Sequence, residues 1–211
     1  MKPLFLSFEG IPGSGKTTQA RILADKLNTL GVKSQYVKSP NGTRFGSRIT
    51  NVILTESPTD FSEILAFLSC FNELSEKIVG PQLRRGVTVI SDKGVGSSFA
   101  NALYRHQGVL DKEILVTLLS VMESRGKIWP DLTIFLDTSI SVGHERKKTS
   151  NQVTVRDSLT PGNLREAKAY IEISKMLPNW VTINANATVD EVTEDIWSLI
   201  QNRILSNRAI D

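Results

Sequence analysis

Short apolar runs alternate along the chain with longer segments in which apolar residues recur every three or four positions. The short runs predict buried β-strands at residues 3–8, 34–37, 87–91, 132–136 and 180–183. The longer segments predict helices at residues 17–30, 45–54, 61–83, 114–122, 164–176 and 189–204. Pro81 is expected to kink the end of the long third helix. The fourth helix is apolar almost all round, which predicts that it is buried.

The alternation of strands and helices determines the expected fold class. Strands separated by helices indicate βαβ units, and therefore a three-layer α/β fold with a five-stranded parallel sheet flanked by helices. The chain has 211 residues, the size of one domain, so we expect residues 1–211 to form a single unit. Ligands of such sheets bind beyond the carboxyl ends of the strands, so the residues that follow each strand are the candidates for chemistry.

Composition narrows the classes of protein that are expected. Lys and Arg number 25 against 22 Asp and Glu, a surplus that does not suit a DNA-coating protein but suits an enzyme for an anionic substrate. Cys70 is the single cysteine, which excludes an intrachain disulfide and a cysteine zinc cluster. No apolar run reaches the ~20 residues of a membrane span, and the run before Glu9 is too short for a signal peptide. We therefore expect a soluble, cytoplasmic protein with no membrane partner.

The first strand is followed by a glycine-rich octet, GIPGSGKT, that fits the phosphate-binding pattern G-x-x-x-x-G-K-[ST]. Gly10, Gly13 and Gly15 permit backbone conformations that a Cβ would block, so successive N–H groups can surround a phosphate chain. The helix that follows directs its positive end to the same place. Lys16 is expected to reach the β- and γ-phosphates, and Thr17 to hold Mg²⁺. A chance glycine-rich turn is the alternative, which the strand before the octet and the helix after it disfavour.

Charged residues follow two other strands. Asp92 comes directly after the third strand, where a carboxylate could order Mg²⁺-bound water; a helix cap or a surface turn is the alternative. A polar stretch after the fourth strand carries four basic residues: Arg146, Lys147, Lys148 and Arg156. We expect a mobile basic lid at about residues 144–162 that closes over the phosphates, with a solvated charged loop as the alternative.

Over nearly its whole length the sequence resembles the thymidylate kinase family. The family's opening F-E-G-x-D-G-S-G-K-T-T-Q is similar to FEGIPGSGKTTQ at residues 8–19, and its R-E-P-G-G-T to KSPNGT at 38–43. Three later segments also resemble the family. LAFL at 65–68 is similar to its L-L-F-A, and DKGVGSSFA at 92–100 to its D-R-Y-x-x-S-S-x-A. PDLTIFLD at 130–137 is similar to its P-D-L-T-x-x-L-D.

The resemblance implies a P-loop kinase fold and an enzyme that moves the γ-phosphoryl group of ATP, with Mg²⁺, to a pyrimidine nucleoside monophosphate such as dTMP. It implies four catalytic residues: Lys16, Asp92, Arg146 and Arg156. Thr17 and Asp92 would bind the metal. The nucleotide donor would contact the phosphate loop and a late loop near adenine, namely Gly10, Gly13, Ser14, Gly15, Lys16, Thr17, Thr18, Asn184 and Ala185.

The resemblance also implies a set of residues for the nucleotide acceptor: Glu9, Lys38, Phe67, Phe71, Lys93, Ser97, Ser98 and Asn101. Phe67 would stack on the base, and Ser97 and Ser98 would form hydrogen bonds with it. From the pattern alone, Phe67 is equally consistent with a core position on a helix face. The resemblance further implies a homodimer, formed through the helix at 61–83 or the helix at 114–122.

The residues that correspond to the family's acceptor site depart from the family pattern, whereas those that correspond to its ATP site do not. Pro12 stands where the family has a carboxylate near the sugar 3′-hydroxyl, and Lys38 and Lys93 stand where it has arginines. Phe71 replaces the family's arginine that binds the base carbonyl. Asn101 and Ala102 replace a tyrosine–glutamine pair. A lysine binds phosphate without the bidentate fork of arginine, and phenylalanine donates no hydrogen bond.

These departures leave other functions open. The acceptor could be a modified pyrimidine nucleotide or a nucleotide within a DNA strand, so a nucleic-acid acceptor stays open. A catalytically silent nucleotide-binding protein is another alternative, and an NTPase switch is a third. The joint retention of Lys16, Thr17 and Asp92 argues against a silent protein, because phosphoryl transfer is what requires them together.

Overall fold

The structure, a computed structural model, describes residues 2–106, 109–149 and 161–206. Five parallel strands form one sheet in the order β2-β3-β1-β4-β5: β1 (Phe5–Glu9), β2 (Ser34–Val37), β3 (Thr88–Ser91), β4 (Leu132–Asp137) and β5 (Trp180–Asn184). Strand β1 is central, since Leu6 pairs with Ile90 on one side and with Leu132 on the other. The predicted α/β class and the five parallel strands are confirmed.

Nine α-helices and two π-helical turns connect these strands within the described residues. The helices are α1 (Lys16–Thr29), α2 (Arg44–Glu56), α3 (Asp60–Leu74), α4 (Gly80–Arg84), α5 (Val95–Phe99), α6 (Lys112–Glu123), α7 (Ile140–Thr149), α8 (Pro161–Met176) and α9 (Val189–Ser206). The π-helical turns, Ser75–Val79 and Ala100–Arg105, directly follow α3 and α5. None of the described helices has the length and apolar character that crossing a membrane requires.

Helices cover both faces of the sheet, because successive side chains of a strand point to opposite faces. One face packs against α1 and α9 through a cluster that includes Leu6, Phe8, Leu23, Leu27, Ile134 and Ile196. The other face packs against α3, α5, α6 and α8 through a cluster that includes Ile64, Phe99, Leu115, Leu119, Phe135 and Tyr170. The three predicted layers are therefore present, with the sheet in the middle.

The predicted helix at 61–83 is interrupted. Helix α3 ends at Leu74, the π-helical turn follows, and Pro81 lies in the first turn of α4. Proline has no N–H to donate within a helix, and a π-helical turn accommodates such a break while the chain keeps its direction. The helix thus departs from regular α geometry at Ser75–Val79, just before the proline at which a kink is expected.

The prediction that the helix at 114–122 is buried all round is wrong. In α6 only Leu115 and Leu119 are buried, at one-turn spacing, whereas Ile114, Val116 and Val121 are exposed. A helix at the outside of a three-layer fold buries one stripe, whatever the residues on its other sides.

The pattern of apolar residues does not predict two of the helical segments. Helix α5, together with the π-helical turn after it, lies in a stretch of small and polar residues, and α7 extends into the predicted basic loop. Arg146, Lys147 and Lys148 form the last turn of α7 instead of a loop. Lysine and arginine are good helix formers, and positive charge at a helix C-terminus interacts favourably with the helix dipole. The expected lid residues from 150 to 160 lie outside the described residues.

Helix α7 packs directly on the loop that follows β1 through two glycines. A Cβ on Gly13 would overlap the backbone of Gly143, and a Cβ on Gly143 would lie 2.8 Å from the carbonyl oxygen of Pro12. Both backbones can approach this closely because neither residue has a side chain.

Gly143→Ala is expected to lower the free energy of unfolding by about 1–3 kcal/mol, because the added methyl group must displace the loop backbone. This loss would exceed the gain in helix propensity, which favours alanine by about 1 kcal/mol. Urea denaturation measures the difference. Glu145→Ala, at an exposed position of the same helix, is the control and should change stability by less than about 0.5 kcal/mol. Equal stability of Gly143→Ala and wild type would contradict the close contact.

Candidate functional site

The phosphate loop, residues 10–17, lies at the carboxyl end of β1 and leads into α1. Its Lys16 is buried, and the ammonium group donates hydrogen bonds to the carbonyl oxygens of Gly10 at 2.8 Å and Ile11 at 2.7 Å. A third hydrogen bond of 3.3 Å goes to the hydroxyl of Ser14. All three ammonium protons are thus directed into the loop, within reach of any phosphate that the loop would surround.

The environment of Lys16 disfavours its positive charge. Burial, and next the charge of Lys93, lower the pKa of Lys16 from 10.5 to about 8, although Glu9 and Asp92 partly oppose the shift. An anionic phosphate bound at the loop would compensate this buried charge directly. The loop is therefore electrostatically suited to a phosphate.

Asp92 receives hydrogen bonds from the start of α1, from β2 and from the segment that follows β2. Thr17 donates its hydroxyl to Oδ2 at 2.9 Å, and Tyr36, from β2, donates its own at 2.7 Å. The N–H of Ser39 donates to Oδ1 at 3.1 Å. Burial, followed by the carboxylate of Asp92, raises the pKa of Tyr36 to about 12, so Tyr36 keeps its proton and remains a donor. Asp92 thus accepts three hydrogen bonds from groups beside the phosphate loop.

Glu9, the last residue of β1, is completely buried. It accepts hydrogen bonds from the N–H of Gly94 at 2.8 Å, and from the N–H and hydroxyl of Ser97 at 3.2 and 2.7 Å. The Ser97 hydroxyl also lies 3.2 Å from that of Tyr170 on α8. Burial raises the pKa of Glu9, against the opposing effect of these hydrogen bonds. Glu9 fixes the start of α5 from beneath the cavity and does not line it.

One cavity of about 980 Å³ joins the phosphate loop to a wall of aromatic side chains. Phe67 and Phe71, one turn apart on α3, form that wall, and Asn101 lies in the lining as well. The volume is in the upper range of small-molecule sites, which commonly measure about 300–1,000 Å³. A single ligand space therefore combines a phosphate-binding loop with an apolar surface suited to a planar ring.

The opposite end of the cavity is bounded by the loop after β5. Arg146 on α7 donates hydrogen bonds of 2.7 Å to the carbonyl oxygens of both Ala185 and Ala187. Ala185 is buried and Asn184 accepts hydrogen bonds from Asn186, and neither lines the cavity. Their predicted contact with adenine would have to be made by the neighbouring residues that do line it, Ala187 and Thr188.

The model of the thymidylate kinase family matches residues 8–196 of the chain. The chain belongs to the thymidylate kinase family. A probable thymidylate kinase of Pyrococcus abyssi is 32% identical over 211 residues, which cover 97% of this chain and 99% of the relative. The thymidylate kinase of Wolbachia pipientis wMel is 33% identical over 201 residues, 92% of this chain and 100% of the relative. The thymidylate kinase of Thermosipho africanus is 29% identical over 207 residues, which cover 96% of this chain and 100% of the relative.

Most site residues predicted from the resemblance to thymidylate kinases line this one cavity. They are Gly10, Gly13, Ser14, Gly15, Lys16, Thr17, Thr18, Lys38, Phe67, Phe71, Asp92, Lys93, Ser97, Ser98, Asn101 and Arg146. Glu9, Asn184 and Ala185 do not line it, and Arg156 lies outside the described residues. Residues predicted for the nucleotide donor and residues predicted for the acceptor thus line one cavity.

Several residues of the site were not predicted. Tyr36, a hydrogen-bond partner of Asp92, lies within β2, where no sequence motif marks it. Arg105, Glu166 and Tyr170 line the cavity from the π-helical turn after α5 and from α8. No local motif marks them, because they meet only when α8 packs against that turn.

The raised pKa of Glu9 predicts a dependence of stability on pH. The folded protein holds this proton more tightly than the unfolded chain, so the contribution of Glu9 to the free energy of unfolding decreases as pH rises above 4.5. Glu9→Gln keeps the shape and the acceptor oxygen but does not ionise. Urea denaturation from about pH 5 to about pH 8 should therefore show wild type losing stability relative to Glu9→Gln.

Parallel curves of stability against pH for Glu9→Gln and wild type would contradict this prediction. They would show that burial of the Glu9 carboxylate is fully compensated by its hydrogen bonds.

Proposed function

We propose that the protein is a dTMP kinase that transfers the γ-phosphoryl group of ATP to the 5′-phosphate of dTMP. The observation that carries the proposal is the single cavity in which Lys16 and the phosphate loop face the aromatic wall of Phe67 and Phe71. Membership of the thymidylate kinase family and the names of the relatives support the same reaction.

In this reaction a phosphate oxygen of dTMP attacks the γ-phosphorus of ATP. A new P–O bond forms, the bond to the bridging oxygen breaks, and dTDP and ADP leave. Lys16 would stabilise the negative charge on the transferred group, together with Arg146 and Arg156. Lys38 and Lys93, which both line the cavity, would hold the acceptor phosphate as point charges. Phe67 would stack on the base, with Ser97, Ser98 and Asn101 beside it.

The residues at the phosphate loop fit Mg²⁺. The Thr17 hydroxyl and the Asp92 carboxylate are oxygen donors that already lie 2.9 Å apart, and Mg²⁺ typically takes one or two such groups plus water and substrate phosphates. When bound, Mg²⁺ would neutralise phosphate charge. Thr17 and Asp92 would orient it.

Several finer features belong to the same proposal. Residues 1–211 form one domain, and residues of about 144–162 act as a basic lid that excludes water during transfer. The protein works in the cytoplasm, where its nucleotide substrates are found. Two copies form a homodimer, which is supported by exposed apolar side chains on the two predicted dimer helices: Phe61, Leu65, Ile114, Val116 and Val121.

The reaction is tested with labelled ATP and Mg²⁺ against deoxynucleoside monophosphates, modified pyrimidine nucleotides and oligonucleotides. Label should appear on dTMP. Lys16→Ala should lower the rate by about 10²-fold or more, the scale for removal of one electrostatic donor. Lys112→Ala, at an exposed position of α6, is the control and should leave the rate unchanged.

The other outcomes each contradict the proposal in a recognisable way. Transfer only to oligonucleotides or to a modified nucleotide would identify another acceptor. Release of free phosphate without an acceptor product would identify an NTPase. Binding of ATP without turnover would identify a silent nucleotide-binding protein.

The homodimer predicts a response to charge on its apolar helices. Leu65 is 42% exposed and Val121 61% exposed. Leu65→Glu and Val121→Glu should shift the protein from dimer to monomer in sedimentation at micromolar concentration, because a buried unpaired carboxylate opposes association. Leu30→Glu, at the end of α1, places the same charge on a residue of 52% exposure and should remain dimeric. A wild-type monomer at this concentration would disprove the dimer.

A further inference from the structure

An ion pair lies in the wall of the cavity, between the π-helical turn after α5 and helix α8. Nη1 of Arg105 is 3.2 Å from Oε2 of Glu166, and the two side chains are 22% and 23% exposed. Both residues line the same cavity as the phosphate loop and the aromatic wall. Partial burial makes this pair more than a solvated surface contact, because charged groups are seldom buried without a partner.

The backbone that carries Arg105 is held from two sides. On one side, Arg165 of α8 donates hydrogen bonds to the carbonyl oxygens of Tyr104 at 3.1 Å and Arg105 at 3.4 Å. On the other side, Nδ1 of His106 lies 2.9 Å from Oδ1 of Asp60 at the start of α3. Arg105 is therefore anchored between α8 and α3, as expected of a π-helical turn that serves a functional site.

These anchors place Arg105 at the nucleoside part of the cavity. His106, the next residue, also approaches Glu63, which lies one turn before Phe67 on α3. Asn101, four residues before Arg105, lines the cavity with it.

The aromatic wall leaves a polar requirement unmet. Phe67 and Phe71 can stack on or enclose a pyrimidine ring, but neither can donate a hydrogen bond to a ring carbonyl. A carbonyl that loses water without gaining a donor weakens binding. A guanidinium has five N–H donors in a planar fork, so Arg105 can pair with Glu166 and bind a ligand at the same time.

We propose that Arg105 determines base specificity by donating a hydrogen bond to a carbonyl on the edge of the acceptor base. Glu166 is the positioning residue that orients the guanidinium. Ser97, Ser98 and Asn101, which also line the cavity, are neutral donors, so Arg105 would supply a charged and therefore stronger hydrogen bond to the base. The inference rests on the proposed function in taking a thymine nucleotide as the acceptor.

The test measures binding by calorimetry without ATP, so that it does not depend on transfer. Wild type and Arg105→Met are titrated with dTMP, with 5-methyl-dCMP, which has an amino group at C4, and with 2-thio-dTMP, which has sulfur at C2. Arg105→Met should bind dTMP about 10- to 100-fold more weakly, as expected for a hydrogen bond to a charged group. It should also lose most of the wild-type preference for dTMP over one of the two analogues.

Three further variants separate recognition from folding. Arg105→Lys should keep part of the affinity for dTMP but not the full preference, because it lacks the fork. Glu166→Gln should weaken dTMP binding in the wild-type background and have little further effect in Arg105→Met, as expected if it acts through Arg105. Arg125→Met removes an exposed arginine paired with Glu76 at 3.6 Å, outside the cavity, and should bind like wild type. ATP affinity should stay unchanged in all of them.

Each contrary result overturns the inference. An unchanged preference in Arg105→Met would show that Arg105 does not read the base, and equal weakening of all three nucleotides would assign it to the sugar or phosphate. A wild-type protein that binds none of them would overturn this inference and the proposed acceptor together. Loss of the preference in Arg105→Met would support base reading even in a protein that transferred no phosphate, a result that would contradict only the proposed function.

Discussion

The hydrogen bonds that converge on Asp92 join three neighbouring elements of the fold. Thr17 lies at the start of α1, after the loop that follows β1, Tyr36 belongs to β2, and Asp92 itself follows β3. Because β3 lies between β2 and β1 in the sheet, one short carboxylate can reach both neighbours. The position of Lys16, one residue before Thr17, depends on this arrangement, and so does the start of α1.

The same region balances charges that would be costly to bury alone. Burial disfavours the ammonium of Lys16 and the carboxylate of Glu9, and each reduces the effect of burial on the other through their opposite charges. Glu9 in turn holds the backbone at Gly94 and Ser97, which begins the wall of the acceptor space. A strand-end carboxylate therefore links the end of β1, next to the phosphate loop, to the start of α5.

The sequence allowed the parts of the site that depend on local pattern to be predicted. The phosphate loop was recognised because eight adjacent residues must perform one task, and Asp92 because it follows an apolar run. The pairing of Arg105 with Glu166 could not be predicted, because it requires the packing of two elements that are far apart in the chain. For helix α6 the sequence predicts too much burial. Apolar composition indicates that its side chains can be buried, but it does not indicate which face of the helix is buried. The high charge of the run at 146–148 predicts a loop, whereas lysine and arginine are good helix formers and the structure has α7 there.

The two glycines at which α7 meets the phosphate loop tie that helix to the cavity wall. Gly143 is in contact with the loop backbone, and one turn later Arg146 is tied to the carbonyl oxygens of Ala185 and Ala187. A helix held at two points cannot pivot as a rod without breaking one of these contacts. The phosphate loop, α7 and the loop after β5 therefore form one continuous support, so a side chain added at either glycine would disturb the opposite end of the cavity as well.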